Sequence, residues 1–146
     1  MNSFFSTYLP AFALCTSLLV SGSAFAASAE DDVKAAYSAW DAAFNKGDAK
    51  AVAGFYTSDA VFLPPSHEVV KGPAGVEKFF AGLFANGVTA HKLELIEVVA
   101  SSTDTVVGAA KWSVKLKDGS AGGGIATHAF QKQSDGSLKL KLHAFN

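Results

Sequence analysis

Between Ser28 and Asn45 the apolar residues Val33, Ala36, Tyr37, Trp40, Ala43 and Phe44 recur at helical spacing, which predicts an amphipathic helix. Ser28 is placed to cap it, Glu30, Asp31 and Asp32 fill its first turn, and Asn45-Lys46-Gly47 closes it. Asp48 opens a second, short helix carrying Val52, Phe55 and Tyr56, which Thr57-Ser58-Asp59 breaks. Ala60 to Leu63 reads as a short strand ended by Pro64-Pro65, and a second short strand lies around Val69-Val70. Gly72-Pro73 starts a third helix, whose stripe of Val76, Phe79, Phe80, Leu83 and Phe84 runs to Asn86-Gly87.

From there the period becomes two. His91 to Val99, Thr105 to Lys117, Ile125 to Lys132 and Leu138 to Phe145 are four expected strands, with Gly122-Gly123-Gly124 read as part of a hairpin connection. In the second of these, Gly108, Ala110, Trp112, Val114 and Leu116 face one way and Lys111, Ser113, Lys115 and Lys117 the other. The order helix, helix, strand, strand, helix, four strands predicts an α+β domain with three helices covering one face of a curved antiparallel sheet. Such a sheet leaves a cleft against its helices where small ligands bind.

Charge divides the chain. Met1 to Ala29 carries no charged side chain, whereas 13 acidic and 12 basic residues follow. Tyr8 to Val20 has the character of a leader's apolar run, Ser21-Gly22-Ser23 breaks it, and Ala24-Phe25-Ala26 resembles a cleavage site. Residues 1–26 are therefore expected to be a signal peptide, and 27–146 a single domain that is secreted or periplasmic. An uncleaved anchor would want about 20 apolar residues, and Pro10 and the Ser/Gly break shorten the run, so no membrane association is expected after cleavage. The one cysteine, Cys15, falls inside the leader, which removes thiol catalysis, zinc-thiolate sites and disulfides from the mature chain. A net charge of −1 gives no field for nucleic acid. All basic residues are Lys, so no guanidinium fork is present for an anionic ligand.

Four segments carry a family likeness: Trp40-Asp-Ala-Ala-Phe-Asn-Lys-Gly-Asp48, Phe55-Tyr56-Thr-Ser-Asp-Ala-Val-Phe-Leu-Pro-Pro65, Val70-Lys-Gly72 and Asp135 to Asn146. Together, and in this order, they resemble the SnoaL-like and ketosteroid-isomerase-like branch of the nuclear transport factor two-like superfamily. The resemblance implies a cone-shaped α+β fold, often homodimeric through the outer sheet face. It implies no one activity, because the superfamily hosts isomerases, cyclases, dehydratases, association domains and small-ligand binders. The oxyanion-donating tyrosine of ketosteroid isomerase falls on Trp40 and its base aspartate on Pro64, and neither role survives the exchange. In related sequences the final strand often has Asp in place of His143 and Trp in place of Phe145.

Among candidate chemical groups, His128 and His143 come first. If Asp135-Gly136 is a two-residue turn, Ser134 pairs with Ser137 and His128 stands directly opposite His143. Two imidazoles on one face can act as acid and base near neutral pH, contribute half of a metal site, or be simply structural. A zinc centre wants three or four ligands and no third is evident, so neither a metal nor another cofactor is expected. His67, after Pro64-Pro65, is a third catalytic candidate, placed by the resemblance near the cone mouth or else an ordinary surface histidine. His91 and Glu94 begin a strand on opposite faces and suggest no special role. The rings of Trp40, Phe44, Tyr56, Phe62, Phe80, Phe84 and Trp112 are the candidate ligand-binding set, in excess of what core density asks. Gly108, Ala109 and Ala110 either enlarge that pocket or let a helix approach.

These residues are consistent with an exported domain binding a small neutral or apolar ligand. The alternatives are a lyase, isomerase or cyclase using His128, His143 or His67, and a homodimeric association domain with an inert pocket. Leu138, Leu140 and Leu142 on the final strand are either core or interface.

Overall fold

A computed structural model describes residues 28–146; the expected signal peptide lies outside the described residues. Helix α1 spans Ala29–Asn45, α2 Ala49–Ala53, β1 Tyr56–Leu63, β2 Val70–Lys71, α3 Gly72–Ala85, β3 Thr89–Ser101, β4 Thr105–Lys115, β5 Ala121–Lys132 and β6 Leu138–Phe145. Ser28 and Asp31 form a capping box at the start of α1, and each satisfies a backbone N–H that the first turn leaves free. Gly47 takes the left-handed conformation after α1 at φ +69°. The stripe Val33, Tyr37, Trp40, Ala43 and Phe44 is buried.

The six strands form one curved sheet in the order β2-β1-β6-β5-β4-β3. It does not close: β2 and β3 are its two edges. All neighbours pair antiparallel except β1 and β6, which run parallel. The three helices cover its inner face, and the core between them is built on Val33, Trp40, Phe44, Val52, Phe62, Val76, Phe80 and Val106.

Three local differences from the sequence expectation matter. Tyr56 opens β1 instead of lying on the short helix, and Thr57-Ser58-Asp59 continues the strand through an irregular stretch before Val61. The Gly122-Gly123-Gly124 run lies within β5, paired with Val114, Ser113 and Trp112 of β4. The turn that connects those strands falls earlier, with Gly119 at φ +86° and Leu116 N–H donating to the Ser120 carbonyl at 2.8 Å. Gly124 is in the strand because nothing larger fits. A Cβ there would sit 2.2 Å from the Asn146 carbonyl oxygen and 2.9 Å from Trp112 Nε1.

The third difference concerns the β5–β6 hairpin. Its loop has three residues, Ser134-Asp135-Gly136, closed by Gly136 N–H to the Gln133 carbonyl (3.0 Å) and Gln133 N–H to the Ser137 carbonyl (2.8 Å), with Gly136 at φ +84°. This is the hairpin type in which a turn is followed by a left-handed glycine. It sets Lys132 against Leu138 and Phe130 against Leu140, one step away from the register of a two-residue turn. A bulge at Lys141 then restores the step, so that Ala129 faces Leu142 and His128 faces His143. The expected histidine pairing is present, reached by two offsets that cancel.

The bulge also decides which side chains are inside. Leu138 and Leu140 are buried before it, and His143 and Phe145 turn inward after it, while Leu142 is exposed on the outer face. Strict alternation would have buried Leu142 and expelled His143.

Asn146 anchors this corner. Its carbonyl accepts from the Trp112 indole N–H (3.1 Å), its side-chain carbonyl from Ile125 N–H (2.9 Å), and its own N–H donates to the Ile125 carbonyl (3.2 Å). Gly124→Ala is therefore expected to cost about 1–3 kcal/mol through overpacking, read as a lower urea midpoint with an unchanged m-value. A midpoint equal to that of the parent protein would show that the close approach is not a constraint.

Candidate functional site

A cavity of about 280 Å³ opens between the helices and the inner sheet face, close to the lower end of small-molecule pockets, which run from roughly 300 to 1,000 Å³. Helix α1 contributes Trp40 and Phe44, and α3 contributes Phe79, Phe80 and Leu83. The strands contribute His91, Leu93, Trp112, Val114, Ala126, His143 and Phe145, and the loop after β1 contributes Pro64, Pro65 and Ser66. The wall holds no lysine and no carboxylate. Trp40 stacks on Phe44 (ring centroids 5.4 Å apart) and meets Phe80 edge-on at 5.3 Å, so the α1 side of the wall is a rigid aromatic plate.

Behind it stand two tyrosine–histidine pairs. The Tyr56 hydroxyl is 2.7 Å from His143 Nδ1, and the Tyr37 hydroxyl is 2.9 Å from His128 Nδ1; all four residues are buried. The imidazole centroids are 4.5 Å apart. Burial pushes both tyrosine hydroxyls well above their ordinary range, opposed at Tyr56 by the nearby Trp40 indole, so each keeps its proton. No other acceptor is bonded to either hydroxyl among the described residues. Each tyrosine therefore donates to Nδ1, and each ring carries its own proton on Nε2. Burial, together with the charge of His91, pushes His128 down to about 3. His143 is also held well below its usual value, by burial first and then by the charges of His128 and His91. Both rings are neutral N–H donors under ordinary conditions.

The third histidine is set differently. His91 Nδ1 lies 2.6 Å from Asp41 Oδ1, with both side chains largely buried, and the other carboxylate oxygen of Asp41 accepts Leu93 N–H at 2.9 Å. Asn45 grips the His91 backbone twice, accepting its N–H (2.8 Å) and donating to its carbonyl (2.9 Å). The preceding residue, Ala90, has φ +54°, and the β3–β4 register shifts between Thr89 and Lys92. Irregularities of this kind re-aim a side chain, and this one brings His91 against Trp40 and Phe44, at centroid distances of 4.7 and 4.6 Å. A carboxylate only accepts, so Asp41 holds a proton on Nδ1 and leaves Nε2 as the ring nitrogen available to a ligand.

The candidates named from the sequence thus occupy different places. Trp40, Phe44, Phe80, Trp112 and His143 line the cavity. Tyr56 and Phe62 lie behind the wall, because Tyr56 turns its hydroxyl to His143 and Phe62 packs within the core between Phe79, Phe80 and Phe145. Phe84 meets Phe44 edge-on at 4.8 Å without reaching the wall. His128 borders a smaller void with Tyr37 and Phe130. His67 sits on an exposed turn at φ +62°, its N–H donating to the Pro64 carbonyl, outside the wall that its neighbour Ser66 joins. Gly108 lets α1 approach: a Cβ there would lie 3.1 Å from the Tyr37 hydroxyl. Among the described residues, no group of three or more His, Cys, Asp or Glu side chains is placed to hold a metal ion. Asp41 and His91 escaped the sequence reading. The only signal was a carboxylate beside Trp40 on the inner margin of a helix and a histidine at a strand start, and an irregular backbone was needed to join them.

The neutral histidines make stability depend on pH in a definite direction. The unfolded chain protonates an imidazole near 6.5, whereas folded His128 resists protonation down to about 3. Between these values the unfolded state binds more protons. Stability is full above about pH 6.5 and is lost as pH falls, at up to ~1.4 kcal/mol per pH unit for one such group. His143 acts in the same direction. Urea unfolding from about pH 7 to 5 should show this fall, and the double variant His128→Asn, His143→Asn should flatten it; equal slopes would contradict neutral burial.

The SnoaL-like domain model matches residues 37–137. Among solved structures, a protein from Xanthomonas campestris named for a calcium/calmodulin-dependent protein kinase II association domain is 25% identical, with a TM-score of 0.70 over 82% of this chain and 87% of that one. A protein from Novosphingobium aromaticivorans named for an aromatic ring hydroxylase is 25% identical, with a TM-score of 0.67 over 83% and 91%. A ketosteroid isomerase-like protein from Erwinia carotovora atroseptica, at 24% identity and a TM-score of 0.63 over 77% and 91%, shares the fold. A comparison with curated proteins finds no match. With the family model covering more than half its length, the chain belongs to the SnoaL-like domain family.

Proposed function

We propose that this chain is an exported small-molecule-binding protein whose cavity takes a neutral, mainly apolar ligand of aromatic size. The observation that carries this reading is the cavity wall, in which aromatic and aliphatic side chains surround two imidazoles and one serine and no cationic side chain is present. Export rests on the uncharged, apolar first 29 residues and the Ala24-Phe25-Ala26 site, and corresponds to a secreted or periplasmic location. Isomerisation by the residues of ketosteroid isomerase is not part of the reading, since Trp40 and Pro64 stand where its donor and base would be.

Both tryptophans of the chain, Trp40 and Trp112, are in the wall, so intrinsic fluorescence reports occupancy. Titration with 2-naphthol is expected to quench it saturably and to raise the melting temperature. The anion 2-naphthoate should bind at least tenfold more weakly, and Val114→Phe, which fills the cavity, should weaken 2-naphthol by a similar factor. Equal binding of the two probes, or none of either, would overturn the reading.

A second reading, homodimerisation through the outer sheet face, has its own observation. Val61, Leu142, Ala129 and Val107 form a continuous apolar row across four strands, and Ile96, Val99, Ile125 and Leu142 are exposed. The Xanthomonas neighbour named for an association domain is in keeping with it. Sedimentation at micromolar concentration should give a dimer, and Leu142→Glu a folded monomer; a monomeric parent protein would exclude it.

A further inference from the structure

We infer that the ligand of the cavity carries an alkyl chain, which leaves over Leu116 and lies in an open trough between the α3–β3 turn and the β4–β5 turn. The inference rests on the proposal that the cavity binds a neutral, mainly apolar molecule, and it names the class: a flat ring bearing an unbranched chain of several carbons.

The cavity has a direction. Along β4 and just beyond it the inward positions run Gly108, Ala110, Trp112, Val114 and Leu116, and His143 stands level with the first of them through His128. Trp112, Val114, Leu116 and His143 all line the cavity, so its polar donor lies at one end and Leu116 at the other. Val88 and Leu116 border both the cavity and the trough, whose other lining residues are Asn86, Lys117 and Asp118. The apolar wall therefore continues past the mouth instead of ending at it. A cavity of about 280 Å³ is ring-sized by the usual measure of ligand pockets, and the trough is where a longer molecule has room.

The polar groups of both turns are already engaged within the turns themselves. The N–H groups of Asn86, Gly87 and Val88 donate to the Leu83, Phe84 and Leu83 carbonyls at 3.1, 2.9 and 3.2 Å, and Leu116 N–H donates to the Ser120 carbonyl at 2.8 Å. The Asn86 amide donates to the Gly82 carbonyl at 2.9 Å, and the Asp118 carboxylate accepts from Ser120 N–H and Oγ at 2.9 and 2.6 Å. What faces the trough is mostly carbon, from Val88, Leu116 and the methylene stem of Lys117. That stem is laid on Gly87, where a Cβ would lie 3.1 Å from Lys117 Cβ and 3.2 Å from its Cγ, and where φ is +75°. The two turns thus meet with no side chain between them, and their contact is the trough floor. Leu116 is left 39% exposed, apolar area that an alkyl chain covers. Lys117 and Asp118 carry one charge of each sign at the rim, so the end of the chain needs no charge of its own.

The test compares 2-naphthol, 6-propyl-2-naphthol and 6-hexyl-2-naphthol by tryptophan quenching. Full burial of a methylene is worth about fourfold in affinity, and a trough open on one side gives about half that free energy, or about twofold per carbon. The hexyl compound is therefore expected to bind at least 20-fold more tightly than 2-naphthol, with the propyl compound between them. The quantity read is the ratio of Kd values within one protein, which cancels any change in the cavity itself. Lys117→Asp, which removes the stem and sets a carboxylate in its place, should lower the hexyl ratio at least fivefold. Leu116→Asp, at a position exposed enough to accept it, should do the same by placing a charge where the chain leaves the cavity. A ratio below 20 in the parent protein, or one that either variant lowers by less than fivefold, overturns the trough as a chain subsite and leaves the binding proposal standing on 2-naphthol. Absence of quenching by all three probes overturns the binding proposal and the trough with it.

Discussion

The interior site depends on one backbone feature of the last strand, the extra residue at Lys141. Alternation along Leu138, Leu140 and Leu142 would bury three leucines and leave His143 and Phe145 in solvent. The bulge reverses the faces halfway along, so that the turn end of β6 supplies core and the far end supplies cavity wall. Lys141, the residue left unpaired, points outward and forms an ion pair with Asp59 of β1. The exposed Leu142 is the other product of the same step. Cavity wall and apolar outer row are consequently two faces of one irregularity.

Placing imidazoles inside creates a polar requirement that the fold meets from the helix and from β1. Each histidine receives one tyrosine hydroxyl, a bond worth about 1 kcal/mol net, whereas an unmet buried donor or acceptor costs about 1–3 kcal/mol. Tyr37 reaches His128 only because Gly108, paired with His128 on the neighbouring strand, leaves room for the hydroxyl. Trp40 Nε1 is the one described buried side-chain donor without a partner. It lies near the Tyr56 hydroxyl, close enough to favour the ionised phenol but outside hydrogen-bond geometry. The indole is therefore held in the wall by its ring contacts, chiefly Phe44, Phe80 and His91.

The parts of this arrangement that follow from periodicity were legible in the sequence. The α1 stripe, the α3 stripe and the inward set on β4 each repeat often enough for burial to be read from spacing, and the family likeness gave their assembly. The His128–His143 pairing was legible for a reason that proved incomplete, since the three-residue loop and the bulge each shift the register by one and only their combination restores it. Tyr56 was misplaced because it stands at a helix-to-strand junction where both periods fit. Asp41 and His91 could not be joined by pattern, because the left-handed Ala90 and the shifted register of β3 have no signature in residue type. The glycine run of β5 suggested a turn because its actual cause, the approach of Asn146 and Trp112, comes from residues distant in sequence.

The two kinds of histidine in the wall also set the charge a ligand meets. His143, denied its proton by burial, contributes no positive charge under ordinary conditions. His91 is paired with the Asp41 carboxylate, which matches any positive charge on its ring. The wall therefore carries no net positive charge, and no lysine stands in it to change that. A carboxylate or phosphate entering the cavity would give up its hydration for donors that bear no net charge, a loss that buried anions recover only from a cation or from several converging N–H groups. A neutral molecule with one hydrogen-bond acceptor gives up little and finds the His143 N–H waiting. The lack of arginine in the chain, which by itself says only that guanidinium recognition is unavailable, thus belongs to a cavity whose remaining ionisable groups also exclude anions.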